Sequence, residues 1–226
     1  MNPTQILRTQ ELYQRLSAIR QLQVVQEFAE SLKLCDEALA CQALFESQDE
    51  ANARIYFLYS KAIALDMLGN LDEALPIFEK LVADYPGTPQ FENSMLLVCS
   101  KLEEKAQALI SEDPAHPRIR EFLQILERHT SPPFWLHHAV AAQDAAEGRL
   151  DLAWKRMNAL LALSPNDAEY LGCVIALARG CGDEVRLRQF NQRVESLLEE
   201  FPFRLDLAKV FLDTHGDSKE NDAVSS

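Results

Sequence analysis

The feature of this sequence that most constrains its fold is an internal repeat. The tetrapeptide Asp36-Glu37-Ala38-Leu39 returns unchanged about 36 residues later as Asp72-Glu73-Ala74-Leu75, and a related segment, Asp151-Leu152-Ala153-Trp154, follows further on. Repetition at a fixed period is typical of arrays in which each small unit buries its apolar face against the next unit. We therefore expect an array of repeated units.

The residues around the second copy predict a helix, a tight turn and a second helix. Gly69-Asn70 interrupts the helical pattern, and Pro86 ends it. Asn70 stands three residues before Glu73, which is the spacing of a capping box at the start of a helix. Apolar residues at helical spacing lie on both sides of the turn, namely Leu58, Ala62, Leu65, Ala74, Phe78 and Leu81. The segment is therefore predicted to be a helical hairpin.

This spacing resembles the tetratricopeptide repeat (TPR) family, a helical hairpin of about 34 residues with the pattern W-x₂-L-G-x₂-Y, A-x₃-F and P. One match is Leu58-x₂-Lys61-Ala62-x₂-Leu65, followed by Ala74-x₃-Phe78 and Pro86. A second is His137-x₂-Val140-Ala141-x₂-Asp144, followed by Gly148, Ala153-x₃-Met157 and Pro165. Lys61, His137 and Asp144 depart from the apolar residue types of the family pattern.

The resemblance implies an all-α fold, an α-solenoid of stacked helical hairpins that forms a TPR-like superhelix with capping helices at both ends. Weaker copies flank the two good matches, and the turn of the first copy lacks glycine. The expected parts, in chain order, are an N-terminal capping helix (1–18), hairpins at about 19–52 and 55–86, an irregular enlarged hairpin (87–133), hairpins at about 134–167 and 168–202, a C-terminal capping helix (203–215) and a disordered tail (216–226).

The segment 87–133 breaks the period, because it is longer than one repeat. Apolar residues at helical spacing from Phe91 to Leu109 predict one continuous amphipathic helix, which Asp113-Pro114 ends. Pro117 is well placed to begin the next helix, which runs up to the break at Ser131-Pro132-Pro133. The segment is either one enlarged hairpin or a spacer between two sub-arrays.

Composition and charge restrict the partners. Apolar residues make up 47% and charged residues 25% of the chain, as in a folded protein, and only seven glycines are present. The formal net charge is −13, so nucleic acid and anionic membranes are disfavoured as partners, and no segment is long and apolar enough for membrane insertion. The odd number of cysteines, five, suits a reducing compartment, and without a recognisable targeting segment the expected location is cytoplasmic.

No constellation of residues for catalysis or for a cofactor is evident. His137 and His138 are neighbours, so on a helix their side chains diverge by about 100° and cannot chelate one metal ion. The glycine-rich loops that cradle phosphates are absent from the sequence. We therefore expect a protein that is not an enzyme and that carries neither a metal nor a cofactor.

In the family that this sequence resembles, the first helices of the hairpins line a concave groove that binds peptides or helices. Tyr56, Tyr59 and Trp135 would be the residues that contribute most to binding, unless they pack between hairpins as core. Arg20, Glu27, Glu169 and Arg179 would add mixed charge, whereas the carboxylate clamp of one subgroup is absent, since Tyr59, Ile63 and His138 stand at its positions. The resemblance places seven residues in the groove: Tyr56, Tyr59, Ile63, Asp66, Trp135, His138 and Ala142.

Two functions of different classes follow from this interpretation. The first is a non-catalytic scaffold or adaptor that binds a partner peptide or helix in the groove. The alternative is a dedicated secretion or assembly chaperone that masks an apolar segment of one client. In both cases the partners are proteins, with basic or apolar segments, and self-association through the end helices is a further alternative.

Overall fold

The computed structural model describes residues 3–41, 44–45 and 48–215. Within these residues the chain forms α-helices and no β-strand, so the predicted all-α class is confirmed. The helices are α1 (Pro3–Val24), α2 (Phe28–Ala40), α3 (Gln48–Met67), α4 (Leu71–Asp84), α5 (Pro89–Glu112), α6 (Arg118–His129), α7 (Phe134–Ala146), α8 (Leu150–Leu163), α9 (Ala168–Gly180), α10 (Glu184–Glu200) and α11 (Leu205–His215).

One type of three-residue turn recurs at four places in the described chain. It joins α1 to α2, α3 to α4, α7 to α8, and α9 to α10. In each turn, the last residue donates its backbone N–H to the carbonyl oxygen five residues earlier, which is the hydrogen bond of a Schellman motif. The bonds are Glu27 to Leu22 (2.8 Å), Asn70 to Leu65 (2.9 Å), Arg149 to Asp144 (2.7 Å) and Asp183 to Ala178 (2.9 Å).

The central residue of each turn adopts the left-handed conformation. The φ angles are 64° at Gln26, 81° at Gly69, 80° at Gly148 and 66° at Gly182. Glycine adopts this region without a steric penalty, which explains its place in three of these four turns. Four-residue segments then connect α4 to α5, α6 to α7, α8 to α9, and α10 to α11. The helices on either side of each three-residue turn thus pack as a hairpin, and the predicted stacking of hairpins is confirmed.

The chain divides into two compact units, Met1–Leu102 and Glu103–Ser226, and the division falls within α5. In the first unit, apolar residues of α1, α2 and α3 share a core, and the Gln23 side chain donates a hydrogen bond to the Ser60 carbonyl oxygen (2.9 Å). In the second unit, α7 to α11 share a core in which the rings of Trp154 and Phe190 stack with their centroids 6.4 Å apart. Each unit therefore buries the apolar faces of its own helices.

Two expected boundaries differ from the helices. Residue 18, the expected end of a capping helix, lies inside α1, because no proline or glycine interrupts the chain between Thr4 and Val24. Residues 52–55, the expected junction of two hairpins, lie inside α3. The α1 and α2 helices therefore form the first hairpin, and its turn is at Gln26. The expected tail, 216–226, lies outside the described residues.

Two details of the repeat analysis also differ in the structure. The first tetrapeptide, beginning at Asp36, lies at the C-terminal end of α2, whereas the second, beginning at Asp72, lies in the first turn of α4. The identical sequences are therefore not structurally equivalent, because this tetrapeptide is compatible with any position in a helix. The predicted capping box is wrong, since the Asn70 side chain makes no capping hydrogen bond to α4.

Candidate binding surfaces

The predicted groove residues on α3 divide into two kinds. Tyr56 is 47% exposed and Ile63 is half-buried. The Tyr59 ring, in contrast, packs edge-on against Phe78, and its hydroxyl lies 3.0 Å from the Ser94 hydroxyl. Because these contacts hold Tyr59 between α4 and α5, this side chain serves packing within the first unit.

Asp66 is also engaged within the first unit. Lys101 Nζ donates hydrogen bonds to both of its carboxylate oxygens at 2.7 Å, and the Asp66 side chain is almost buried. Asp66 and Tyr59, both on α3, thus connect this helix to α5. Of the four predicted residues on α3, Tyr56 is therefore the most available to a partner.

The predicted residues on α7 are more accessible. Trp135 and His138 are half-buried, and Ala142 is exposed. Burial lowers the pKa of His138, which favours the neutral imidazole. This face of α7 thus presents an aromatic ring and an uncharged histidine.

A groove of about 450 Å³ lies between α9 and α11 in the second unit, with Phe134 of α7 at its edge. We call it the α9 groove. Ala168, Gly172 and Ala176 recur at intervals of four residues on α9, so their small side chains leave room along one face of the helix. The other lining residues are Glu169, Cys173, Ile175, Arg179, Asp206, Lys209, Val210 and Asp213.

The rim of the α9 groove carries both signs of charge. The charged residues predicted for the later hairpin, Glu169 and Arg179, do line this groove. A hydrogen bond from Arg204 holds the pKa of Asp206 at about 2, so this carboxylate is charged at neutral pH. Burial raises the pKa of the Cys173 thiol to about 12, which leaves it protonated and a poor nucleophile. The thiol in this groove is therefore unsuited to nucleophilic chemistry.

None of the seven groove residues predicted on α3 and α7 is among the described residues that line the α9 groove. Aromatic residues in the sequence do not point to this groove, because its walls are mostly small and charged. The signal that was available is the four-residue interval of Ala168, Gly172 and Ala176.

A second, larger groove of about 720 Å³ lies between α6 and α8, with α7 contributing to its lining. We call it the α8 groove. Basic residues predominate among its charged lining residues, and exposed leucines of α8 form its apolar part. The lining residues are Arg120, Glu127, His137, Asp144, Arg149, Leu152, Lys155, Arg156, Ala159, Leu160 and Leu163.

Asp144 organises the charges at one end of the α8 groove. The residue is only 4% exposed, and its Oδ1 accepts hydrogen bonds from Arg120 Nη2 (2.9 Å) and Arg149 Nη2 (2.7 Å). Glu147 pairs with both arginines as well. The buried carboxylate is thus balanced by two guanidinium groups, as a buried charge requires.

His137 lies in the wall of the same groove and is 8% exposed. Its Nδ1 has no hydrogen-bond partner among the described residues, and the carboxylate oxygen Oε1 of Glu127 is 3.6 Å away. Burial lowers the pKa of His137, nearby Arg156 lowers it further, and Glu127 opposes them. The imidazole is therefore favoured in its neutral form, with one polar atom unsatisfied.

Metal binding and membrane crossing find no support in the described part of the chain. Residues 3–41, 44–45 and 48–215 contain no group of three or more His, Cys, Asp or Glu side chains arranged to hold a metal ion. Among the same residues, no helix has an apolar run sufficient to traverse a bilayer.

Comparison with known proteins gives one similar structure. No family model and no curated protein matches the chain. A similar solved structure is that of TTC0263, a thermophilic TPR protein in Thermus thermophilus, at 21% identity and a TM-score of 0.35, with 90% of this chain and 98% of that chain covered.

The hairpins themselves decide the architecture. Their shared three-residue turn and four-residue connections recur along the described chain, together with the alanine, glycine and proline spacing of the TPR pattern. Each unit is built of helical hairpins whose spacing resembles the TPR pattern. In these hairpins, α3, α7 and α9 are first helices, and α4, α8 and α10 are second helices.

Proposed function

We propose that this protein is a non-catalytic scaffold that binds a peptide or helix of a partner protein along its first helices. The α9 groove carries the proposal, because it lies along the first helix α9 and is large enough for several side chains. Its small residues admit a bound segment, while Arg179, Lys209 and the three acidic residues of the rim suit a partner of mixed charge. Basic partner segments would be favoured by the net charge of −13.

Tyr56 and Trp135 are proposed as further contact residues on the first helices of their own units. Aromatic side chains bury a large area with few rotatable bonds, so they contribute strongly when a partner covers them. Ile63 and His138 are proposed to contact the partner beside them. Tyr59 and Asp66 would act indirectly, by fixing α3 against α5.

A non-catalytic role is supported by the state of the reactive side chains. Burial raises the pKa of both Cys35 and Cys173 to about 12, which disfavours their thiolates. The buried carboxylate of Asp144 accepts hydrogen bonds from Arg120 and Arg149 and so serves the packing of the α7/α8 hairpin. We also propose a cytoplasmic location, because the odd number of cysteines, five, suits a reducing compartment.

The test is partner capture from a lysate of the source organism by wild-type protein and by Ala176→Trp. Ala176 is exposed and lines the α9 groove, so an indole at this position would fill the groove without disturbing the core. Ala162→Trp, at an exposed alanine of α8 outside both grooves, is the matched control. We expect Ala176→Trp to lose at least one partner that wild type and the control recover. Equal recovery of every partner by all three proteins would contradict binding in this groove.

Tyr56 is tested in the same way, with Tyr13 as its control. Tyr13 is 70% exposed on α1 and outside the predicted site. We expect Tyr56→Ala to weaken partner capture by about tenfold while Tyr13→Ala changes it little. If the two variants weaken capture equally, Tyr56 is not a specific contact.

A dedicated chaperone is the alternative function, and one observation favours it. Phe203, in the connection before α11, is 93% exposed, and Leu205, the first residue of α11, is 82% exposed. Such apolar side chains are costly to leave in water. A client with an apolar segment would cover them. Co-purification with a single unstable client would support the chaperone, whereas exchange among several partners would support the scaffold.

A further inference from the structure

The α8 groove contains the departures from the TPR pattern that the proposed function leaves unexplained. His137 and Asp144 stand where the family has apolar residues, and both line this groove. In the α3/α4 hairpin, the aligned residues are Leu58 and Leu65. Polar groups at such buried positions cost free energy unless they are satisfied, so their presence here needs a reason.

The charge of the α8 groove is opposite to that of the chain. Its lining contains four basic side chains, Arg120, Arg149, Lys155 and Arg156, and two acidic ones, Glu127 and Asp144. The chain as a whole has a net charge of −13. Lys155 is exposed and forms no ion pair with any described residue, so its ammonium group is available to an anion. Salt screens charges that are more than about 8 Å apart, so the distant negative charges of the chain have little effect on a ligand in this groove. The cations that line the groove act on it directly.

Two buried polar atoms of the groove residues have no hydrogen-bond partner among the described residues. They are His137 Nδ1 and Arg156 Nε. The Arg156 side chain is held by a hydrogen bond from Nη1 to Glu127 Oε1 (3.1 Å), which leaves Nε unused. An unsatisfied buried donor is an uncommon feature in a folded protein. A ligand with acceptor oxygens would satisfy it.

The groove also offers apolar surface beside its cations. Leu152 is 51% exposed and Leu163 is 79% exposed, both on α8, and Leu160 and Ala159 lie in the same wall. The volume of about 720 Å³ is far larger than a single inorganic anion needs. The lining therefore suits a ligand that combines carboxylates with aliphatic side chains.

We propose that the α8 groove binds an acidic peptide segment of a partner protein. Its carboxylates contact Lys155 and Arg156, and an aliphatic side chain packs on Leu152 and Leu163. This site is distinct from the α9 groove in position and in the chemistry of its ligand, so the two can be tested separately.

The experiment measures fluorescence anisotropy of a labelled probe peptide, acetyl-Glu-Leu-Asp-Glu-Leu-Leu-Asp-Glu-amide, on the full chain. The neutral control peptide has Gln or Asn at every acidic position. We expect the acidic probe to bind at least about tenfold more tightly than the neutral control, with an affinity that falls as salt is added. Equal affinity of the two peptides would overturn the proposal.

Charge-reversal variants locate the site. Lys155→Glu changes an exposed residue of the α8 groove, and Lys209→Glu is the matched control at an exposed lysine of the α9 groove. We expect Lys155→Glu to weaken probe binding about tenfold or more and Lys209→Glu to change it less than about twofold. If both variants act equally, the probe senses only the overall charge, and the proposal is wrong. Lys155→Glu should leave the partners lost by Ala176→Trp bound, which separates failure of this site from failure of the α9 groove.

A second readout places the probe beside His137. A carboxylate near an imidazole favours the protonated, charged imidazole, so saturation with the acidic probe should raise the pKa of His137. NMR of the His137 ring protons during a pH titration measures this pKa. Glu127 and Arg156, which already face this ring from α6 and α8, are present in both states. An unchanged pKa of His137 in the saturated complex would overturn the assignment. So would displacement of the probe by inorganic phosphate beyond that caused by sodium chloride at equal ionic strength, because the groove would then be a simple anion site.

Discussion

The α3/α4 and α7/α8 hairpins have the same turn but fill equivalent interior positions with opposite chemistry. When the hairpins are aligned on Gly69 and Gly148, Leu65 corresponds to Asp144. Leu65 is 1% exposed and Asp144 is 4% exposed, so both are interior. In one hairpin the position is filled by an apolar side chain, and in the other by a carboxylate that two arginines hold.

The comparison shows that the turn and the interior are specified independently. The backbone hydrogen bond that closes each turn has as its acceptor the carbonyl of the very residue that differs, Leu65 in one hairpin and Asp144 in the other. A main-chain carbonyl is the same for both residue types, so the geometry of the hairpin tolerates either side chain. The side chains at these positions, in contrast, are apolar in the α3/α4 hairpin and charged in the α7/α8 hairpin. The hairpin is thus a fixed scaffold on which a groove can be made polar.

The largest effect is expected when the acidic residue is moved into the apolar hairpin. Leu65→Asp would bury a carboxylate next to a turn where Asn70 replaces Arg149. We expect the free energy of unfolding of the first unit to fall by about 4 kcal/mol or more, since the charge has no arginine pair. Urea unfolding followed by far-UV circular dichroism measures the loss.

The control for this exchange is Leu68→Asp, at a neighbouring leucine that is 42% exposed. We expect it to cost far less than Leu65→Asp. Trp135 and Trp154 both lie in the second unit, so tryptophan fluorescence reports that unit alone. Similar losses for the two leucine variants would show that burial at position 65 does not decide the effect.

The reverse exchange is expected to have a smaller effect. Asp144→Leu removes the acceptor of Arg120 and Arg149, although both arginines keep Glu147 as a partner. We expect the free energy of unfolding of the second unit to fall by about 2 kcal/mol, because the new apolar contacts only partly offset the stranded cations. Unfolding followed by tryptophan fluorescence measures this loss.

Glu104→Ala, at an exposed acidic residue of α5, is the control for loss of one negative charge. It should change stability by less than about 0.5 kcal/mol. Adding Arg120→Met to Asp144→Leu should recover part of the loss. If the double variant is less stable than the single one, the stranded charge is not the cause.

Much of the fold could be predicted from sequence where glycine marks a turn. Gly69, Gly148 and Gly182 each occupy a left-handed position, and the helices on either side of them follow from apolar spacing. The turn at Gln26 was missed, because glutamine carries no such signal. The tetrapeptide beginning at Asp36 misled the alignment, since a helix-compatible sequence does not fix its own position along a helix.

The candidate surfaces were less predictable than the fold. Whether Tyr59 faces a partner or packs on Phe78 depends on a helix that lies far along the chain, which single-sequence spacing does not reveal. The departure of His137 and Asp144 from the TPR pattern was visible in the sequence, but their shared groove was not, because Arg120 and Lys155 join them from other helices. Charge pairing between helices depends on packing, and packing has no local sequence signature.

The turn offers a third prediction, smaller again. Gln26 has the conformation that glycine has in the other three-residue turns of the described chain, at φ 64°. A residue with a side chain is disfavoured there by about 1 kcal/mol, so Gln26→Gly should stabilise the first hairpin by somewhat less than that amount. Gly148→Gln should destabilise the second unit by about 1 kcal/mol. Thermal unfolding of each variant measures both effects. We expect Gln26→Gly to raise stability and Gly148→Gln to lower it. A loss of stability in both variants would contradict the equivalence of the two turns.

The smallest effect is expected in the pH dependence of the second unit. Burial lowers the pKa of His137 below its ordinary value of about 6.5, with Arg156 acting in the same direction. Just below pH 6.5 the unfolded chain therefore binds a proton at this residue more readily than the folded chain. Stability from this source is present above that pH and is lost as the pH falls. His137→Leu, which copies Leu58 of the other hairpin, should flatten this dependence.

The measurement is the free energy of unfolding from tryptophan fluorescence at about pH 7.5 and about pH 5.5, in wild type and in His137→Leu. Carboxylates contribute to both proteins alike, so the difference between the two pH dependences isolates His137. His138 remains in the variant, and because burial lowers its pKa too, some loss at low pH should persist. Identical pH dependences in the two proteins would mean that His137 is protonated as readily in the folded chain as in the unfolded one. The polar interior of the α7/α8 hairpin would then be open to water. It would differ from the apolar interior of the α3/α4 hairpin in its solvent exposure as well as in its residue types.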